Sequence, residues 1–417
     1  MAKIPALHPT TRAWLLDGPL SLHVPAYVSR LKRGRYAATT AGRCLGAVAH
    51  FAHWMSMSHM PVHVLDDDCI DFFLRYHVAC CDCPSPVVRT PRDLHAALVA
   101  LLAILRERHV IAEPASPAGP MADELGRYDA HMRDARGLAA GTRRGRLRII
   151  ERMLLAKFTG RPVVIGKLRP EDIRHFIAEQ LESLNTTSNA TTIASALRAY
   201  LRYRAGCGDA VQPLMAVISS PAHWSLASLP RSLKPEEVER LLSSFTAVLP
   251  SPRRGYAVVR LALDLGLRSI EINRLQLDDI DWRLGTVTLK RTKSRRQDIL
   301  PLPTVTGQAL EAYIRHERPP TRNRALFVRH LAPFDEPIGV DAIRRVVRDA
   351  YRRVGIPHGR THALRHTLAC QLVGRGGSIK EVADILRHRS LNTSLIYAKL
   401  DQGALAGVAL PWPGSLA

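Results

Sequence analysis

The last third of this chain switches between two hydrophobic periods, and that switch limits what it can fold into. Most of its segments space apolar residues three or four apart, as amphipathic helices do. One stretch, GTVTLKRTKSRRQDILPLP from Gly285 to Pro303, instead alternates β-branched and polar residues on either side of a basic turn. That alternation predicts a β-hairpin with Lys293 in or beside its turn. The fold class expected is therefore mainly α with a small β-hairpin.

Pro- and Gly-rich breaks divide the chain into three segments, 1–121, 122–222 and 223–417. The first ends in EPASPAGP, which has linker composition. It contains a helical pattern over Gly42–Met57, with Leu45, Val48, Phe51, Ala52 and Met55 in register, and an apolar stretch from Leu94 to Leu105. That stretch is too short to span a bilayer and reads as a buried helix. In the second segment Thr142 is expected to cap TRRGRLRIIERMLLAKF, whose stripe is Leu147, Ile150, Met153 and Leu154. Its other face carries Arg143, Arg144, Arg146, Arg148 and Arg152. A later helix, Ala190–Arg204, is expected to stop at Gly206. The third segment opens on SLKPEEVERLL, a helix start with proline and two acids in its first turn.

Charge narrows the partners. Lys and Arg outnumber Asp and Glu by 59 to 37, a net charge of +22 spread along the 417 residues. A folded chain this basic is expected to meet a polyanion, double-stranded DNA first among them. The N-terminus, MAKIPALHPTTRAW, lacks the layout of a secretory signal. Seven cysteines without even spacing suggest reduced thiols. The expected location is cytoplasmic and nucleoid-associated, with no membrane contact.

Six residues in order carry the chemistry: Arg268, Lys293, His362, Arg365, His388 and Tyr397. A DNA phosphodiester repels nucleophiles and has a very basic leaving alkoxide. Breaking it without metal means neutralising the phosphorane-like transition state and protonating the departing oxygen. Arginine suits the first task because its planar fork donates two hydrogen bonds and keeps its charge. Histidine or lysine suits the second. Arg268 and Glu271 lie three apart, so Glu271 can orient the arginine. His362 and Arg365 have the same spacing. Between His388 and Tyr397, Ser390 or Asn392 is expected to cap a new helix that brings the two side chains together.

From about Leu229 to Leu400 this pattern resembles the tyrosine recombinase (phage integrase) family. The first arginine box looks like Gly266-Leu-Arg268-Ser-Ile-Glu271, and the hairpin lysine like Lys293. The His-x-x-Arg box looks like His362 to Arg365, followed by His366 and Thr367. The Leu-Gly-His-x-Ser element looks like Leu386-Arg387-His388-Arg389-Ser390, with Arg387 where the family usually has glycine. The nucleophile position holds Tyr397.

The resemblance implies attack by Tyr397 on the scissile phosphate, giving a 3′-phosphotyrosine and a free 5′-hydroxyl, with neither ATP nor a metal cofactor. It assigns Arg268, Arg365 and His388 to the non-bridging oxygens, Lys293 to the leaving oxygen, and His362 to proton removal from tyrosine. It also implies a homotetramer, or a hetero-oligomer with sister recombinases, on two DNA sites. The 122–222 segment would then be the helical core-binding (SAM-like) half of a DNA clamp. DNA contacts are expected from the Arg143–Arg152 face and from Arg295 and Arg387. The length suggests the integrase of a mobile element. A type IB topoisomerase would use the same residues, and a non-catalytic regulator would keep the fold.

Lys290, Arg295 and Arg296 compete with Lys293 for the hairpin role, with Lys293 preferred because the small Ser294 follows it. His77, Cys80 and Cys83 in HVACCDC form a Cys-x-x-Cys without an evident second pair, although Cys69 or His63 offers a partner. The expectation there is free thiols and no metal. The tail after Gly403, with Leu405, Val408, Leu410 and Trp412, is expected to pack on its own domain or on a neighbouring protomer.

Overall fold

The structure, a computed structural model, describes residues 7–113, 119–159, 161–184, 187–219, 230–290, 297–357, 359–388 and 390–400. Lys293, Arg295, Arg296, Arg389 and the tail after Gly403 lie outside these residues. Residues up to Ile111 and from Ser225 onward form one compact unit, and residues 112–224 form the other. Helices dominate both, and the strands form a single three-stranded sheet among the described residues.

The N-terminal part of the first unit is built on Ala38–Met57 and Pro91–Glu107. Leu45, Val48, Phe51 and Met55 are buried as their spacing requires, and Leu94, Leu98, Leu101 and Leu105 face them in one core. No helix among the described residues is long and apolar enough to cross a membrane.

In the second unit, Tyr128, Ile150, Met153, Leu154, Leu197 and Tyr200 share a core. Its helix spans Ala140–Phe158, with Ala139 in the cap position and no side-chain cap. Thr142 therefore sits inside the first turn rather than capping it, because the chain turns helical two residues earlier. The later helix runs Thr187–Gly206, longer at its start than the apolar spacing indicated. Glu124 is buried beneath this core and accepts from Tyr200 Oη at 2.7 Å, Arg204 Nη1 at 2.9 Å and Arg127 Nη2 at 3.0 Å.

The C-terminal part of the first unit surrounds the helix Pro252–Asp264, whose Val258, Val259, Leu261 and Ala262 are fully buried. The helices Thr304–His316, Val340–Arg353 and Thr361–Gly374 pack around it. Pro235–Ser243 opens this part with Pro235 in the first turn, and the Lys234 amide donates to Glu237 Oε2 at 2.8 Å. The hairpin stands where the alternation placed it. β1 (Ile280–Asp281), β2 (Thr286–Leu289) and β3 (Asp298–Pro301) pair antiparallel, with Val287 opposite Leu300 and Leu289 opposite Asp298. Val287 and Leu289 enter the core while Ile299 faces solvent.

Leu310 is fully buried where Thr304–His316 meets this core. Leu310→Ala should lower stability by about 2–5 kcal/mol, read from the urea midpoint. A loss below about 0.5 kcal/mol would mean that Leu310 behaves as a surface residue.

Candidate active site

The loop from Leu265 to Arg268 ends the central helix, and Arg268 then occupies the cap position of Ser269–Arg274. Glu271 reaches back from the third helical residue. The Arg268 backbone N–H donates to Glu271 Oε2 at 2.9 Å, and Arg268 Nη1 donates to Oε1 at 2.6 Å. The spacing of three thus orients the arginine, as its sequence suggested, with the Glu271 carboxylate accepting from both the Arg268 amide and its guanidinium at the helix start.

Gly266 makes room for this turn. It has φ +59, and a Cβ there would lie 2.8 Å from Leu386 Cδ2 and 3.1 Å from Leu368 Cδ2. Its carbonyl accepts from Arg365 and, at 3.3 Å, from Arg387 Nη2.

Arg387 corrects an expectation. It is buried, not displayed to DNA, and its Nη2 donates to Glu271 Oε2 at 3.0 Å. Its Nη1 donates to the Ile385 carbonyl at 2.8 Å. Its backbone sits at φ +54, in the left-handed region that favours glycine. The backbone conformation thus accounts for the glycine usual at this position, and this chain has filled it with a guanidinium turned inward.

Glu271 therefore stands between two arginines. Burial pushes its carboxyl up, but the Arg387 charge, then the Arg268 amide and guanidinium, outweigh burial and hold it below the ordinary value. Arg365, on Thr361–Gly374, spans the Gly266 and Leu386 carbonyls and is itself buried. Burial, then Arg268 and Arg387, press its guanidinium down to about 9. Three guanidinium groups against one carboxylate leave an excess positive charge, which a phosphate would relieve.

Tyr397 lies on the 3-10 turn Leu395–Leu400 and is 1% exposed. Its hydroxyl is 2.7 Å from His366 Nδ1. The nucleophile candidate thus meets His366, not His362, which the resemblance had assigned to its proton. His366 follows Arg365 and lies four residues after His362, so helical spacing contained that signal. Burial raises the tyrosine hydroxyl to about 12, and burial, then His362 and Arg365, lower His366 below its ordinary 6.5.

His388 Nδ1 is 2.6 Å from Ser394 Oγ, and burial, then Arg365 and Arg268, bring its imidazole down to about 4. Neither Ser390 nor Asn392 caps a helix with its side chain; two short 3-10 turns, Leu391–Thr393 and Leu395–Leu400, carry the chain instead. The serine used here is the buried Ser394.

His362 opens onto a cleft whose wall includes Arg268, Arg344, Arg348, Arg352 and Arg360. The last four were not singled out in the sequence; Arg344, Arg348 and Arg352 lie on the helix Val340–Arg353, and Arg360 precedes Thr361–Gly374. Lys290 is engaged by Asp279 at 2.6 Å, beside the end of β2. In the second unit Arg144, Arg148 and Arg152 are exposed at intervals of four, one line along their helix. Arg143 instead pairs with Asp129 at 3.3 Å, and Arg146 is half-buried beside Tyr128, His131 and Arg202.

Comparison with known proteins fits this geometry. A profile described as the phage integrase family matches residues 231–403. The putative integrase/recombinase y4rA of Sinorhizobium fredii is 33% identical over 404 residues, covering 95% of this chain and 96% of that protein. The chain belongs to the phage integrase family of tyrosine recombinases. It is accordingly a DNA strand breaking-and-joining enzyme. A second putative integrase/recombinase of the same organism, y4rF, is 34% identical over 390 residues, covering 92% of this chain and 89% of that protein. The fold is shared with the XerH site-specific recombinase bound to palindromic difH substrate, at TM-score 0.54 and 18% identity over 81% of this chain and 93% of that one.

Three variants probe the buried recombinase charges. Glu271→Ala leaves three arginines without a carboxylate and should destabilise the fold by about 3–5 kcal/mol in denaturant unfolding. The folded carboxyl titrates below its ordinary 4.5, so its stabilisation is complete above that pH and lost as pH falls through the lower value. Glu271→Gln should remove that component from an acid titration. Arg387→Ala should leave the salt dependence of DNA affinity unchanged. A slope reduced by about 0.9 would instead mark a phosphate contact.

Proposed function

We propose that this recombinase performs conservative site-specific recombination through a 3′-phosphotyrosine, with Tyr397 as nucleophile and without ATP or metal in the reaction. The observation carrying the reading is the meeting of Tyr397 with His366 at 2.7 Å beside the buried Arg268–Glu271–Arg387 cluster. Tyr397 Oη attacks the scissile phosphorus as its proton passes to His366 Nδ1, and the bond to the 5′-oxygen breaks. Lys293 protonates that leaving oxygen; this role rests on the family resemblance. Arg268 and Arg365 bind the non-bridging oxygens. With the Ser394 hydroxyl donating to His388 Nδ1, the neutral ring keeps its Nε2–H as a further donor. The 5′-hydroxyl of a partner strand then reverses the step. Because Tyr397 is buried, its turn must shift when DNA enters.

The wider reading follows the same family logic. Double-stranded DNA is the partner, contacted by the basic cleft of the catalytic segment, 223–417, and by the Arg144–Arg148–Arg152 line of the core-binding segment, 122–222. Segment 1–121 forms an added helical domain. Strand exchange takes place in a tetramer on two sites, as in integration of a mobile element.

A nicked duplex from the DNA flanking the gene for this chain should trap a covalent protein–DNA band without ATP or magnesium. Tyr397→Phe should bind that duplex and give no band; a band that persists removes Tyr397 as nucleophile. The trapping rate should also depend on pH. His366 must be neutral to take the proton, so the rate should hold above its lowered pKa and fall as pH drops through it. His366→Gln should cost about 10²-fold and flatten that acid limb. An unchanged limb would assign it to another group.

A further inference from the structure

The HVACCDC stretch plays no part in the recombination chemistry, yet the fold gives it a specific neighbour. His50, from the helix Ala38–Met57, meets His77, Cys81 and Cys83, with one donor atom from each lying within 4.8 Å of all the others. His77 Nε2 is 3.3 Å from His50 Nε2, and Cys83 Sγ is 3.5 Å from His77 Nε2. A tetrahedral zinc with Zn–N of about 2.0–2.1 Å and Zn–S of about 2.3 Å has N···N edges of about 3.3 Å and N···S edges of about 3.6 Å. We propose that His50, His77, Cys81 and Cys83 form a structural Cys2His2 zinc site in the N-terminal part of the chain.

The surroundings support a ligand role over ordinary packing. His50 is fully buried, and its Nδ1 lies 2.8 Å from the Val88 carbonyl. A carbonyl only accepts, so the proton resides on Nδ1 and the Nε2 lone pair faces the cluster. That is how a metal-bound imidazole is commonly held from behind. The helix widens to a π turn over Phe73–His77, between Asp67–Phe72 and Val78–Cys80. Such turns add a residue and re-aim the side chains after them, often at functional sites. Here His77 ends the turn and reaches His50. Arg89 Nη2 donates to the Cys81 carbonyl at 3.4 Å and the Cys83 carbonyl at 3.1 Å, fastening the loop that carries both thiols.

Charge and donor type select the metal. Two thiolates balance a divalent cation, so the site can sit against a core without net charge. Mixed sulfur and imidazole donors in a tetrahedron suit zinc over magnesium or calcium. The pair used is Cys81-x-Cys83, not the Cys-x-x-Cys of Cys80 and Cys83. Cys80 is exposed with its Sγ donating to the Tyr76 carbonyl at 3.0 Å, and Cys69 Sγ donates to the Val64 carbonyl at 3.8 Å. A zinc here would join residues 77–83 to the helix Ala38–Met57, securing a stretch where Phe72 and Tyr76 are left exposed.

The test is elemental analysis of the full chain, purified without chelator and without a histidine tag. One zinc per chain is expected in wild type and in Cys80→Ser, and none in Cys81→Ser or Cys83→Ser. Cobalt substituted for zinc should give the thiolate charge-transfer and visible bands of a tetrahedral sulfur–nitrogen site. A chelator should raise the count of reactive thiols in the folded wild type by two. Wild-type protein that takes up no metal on titration with a zinc salt would overturn the proposal. So would zinc retained in Cys81→Ser or lost equally in Cys80→Ser. The wild-type and Cys80→Ser arms keep the test decisive even if a ligand variant fails to fold.

Discussion

The buried Glu271 accepts from the Arg268 guanidinium on Oε1 and from the Arg268 amide and Arg387 on Oε2. Pairing at such short range inside a protein is far stronger than at its surface, and the cost of an unpaired charge there is correspondingly large. Much of the active site depends on this arrangement. It fixes Arg268 at a helix start, draws Arg387 inward from a left-handed turn, and brings that turn against the Gly266 carbonyl that Arg365 also uses. The carboxylate offsets only part of the charge gathered around it. Burial first, and then the charges of Arg268 and Arg387, bring Arg365 down to about 9.

The candidate nucleophile, Tyr397, feels that positive surplus through Arg365, but burial outweighs it. Tyr397 is buried on a 3-10 turn, its hydroxyl held by His366, and its pKa is raised to about 12. A tyrosine so protected is a poor nucleophile at rest.

Much of this was legible in the sequence because it is local. The hairpin followed from β-branched alternation over Thr286–Leu289, and the Arg268–Glu271 pair followed from a spacing of three. Three things were not legible, each for a physical reason. Arg387 was expected on the surface because a basic residue in a basic chain usually is, and only the backbone at φ +54 and the distant Glu271 explain its burial. Ser390 or Asn392 was expected to cap a helix, but the chain forms short 3-10 turns there, and the His388 contact with Ser394 depends on those turns. The His50 cluster was hidden because its fourth member lies 27 residues upstream on another helix, and no local motif announces it.

Whether the arginine cluster acts by stabilising phosphate charge can be read by removing that charge from the substrate. Single-turnover cleavage would be compared on a phosphate duplex and on one whose scissile phosphate is a methylphosphonate, for wild type and for Arg268→Ala. The account predicts a large loss from the substitution on the charged substrate and a much smaller loss on the neutral one. Equal losses on both would mean that Arg268 serves the structure of the site and not the charge that develops in it.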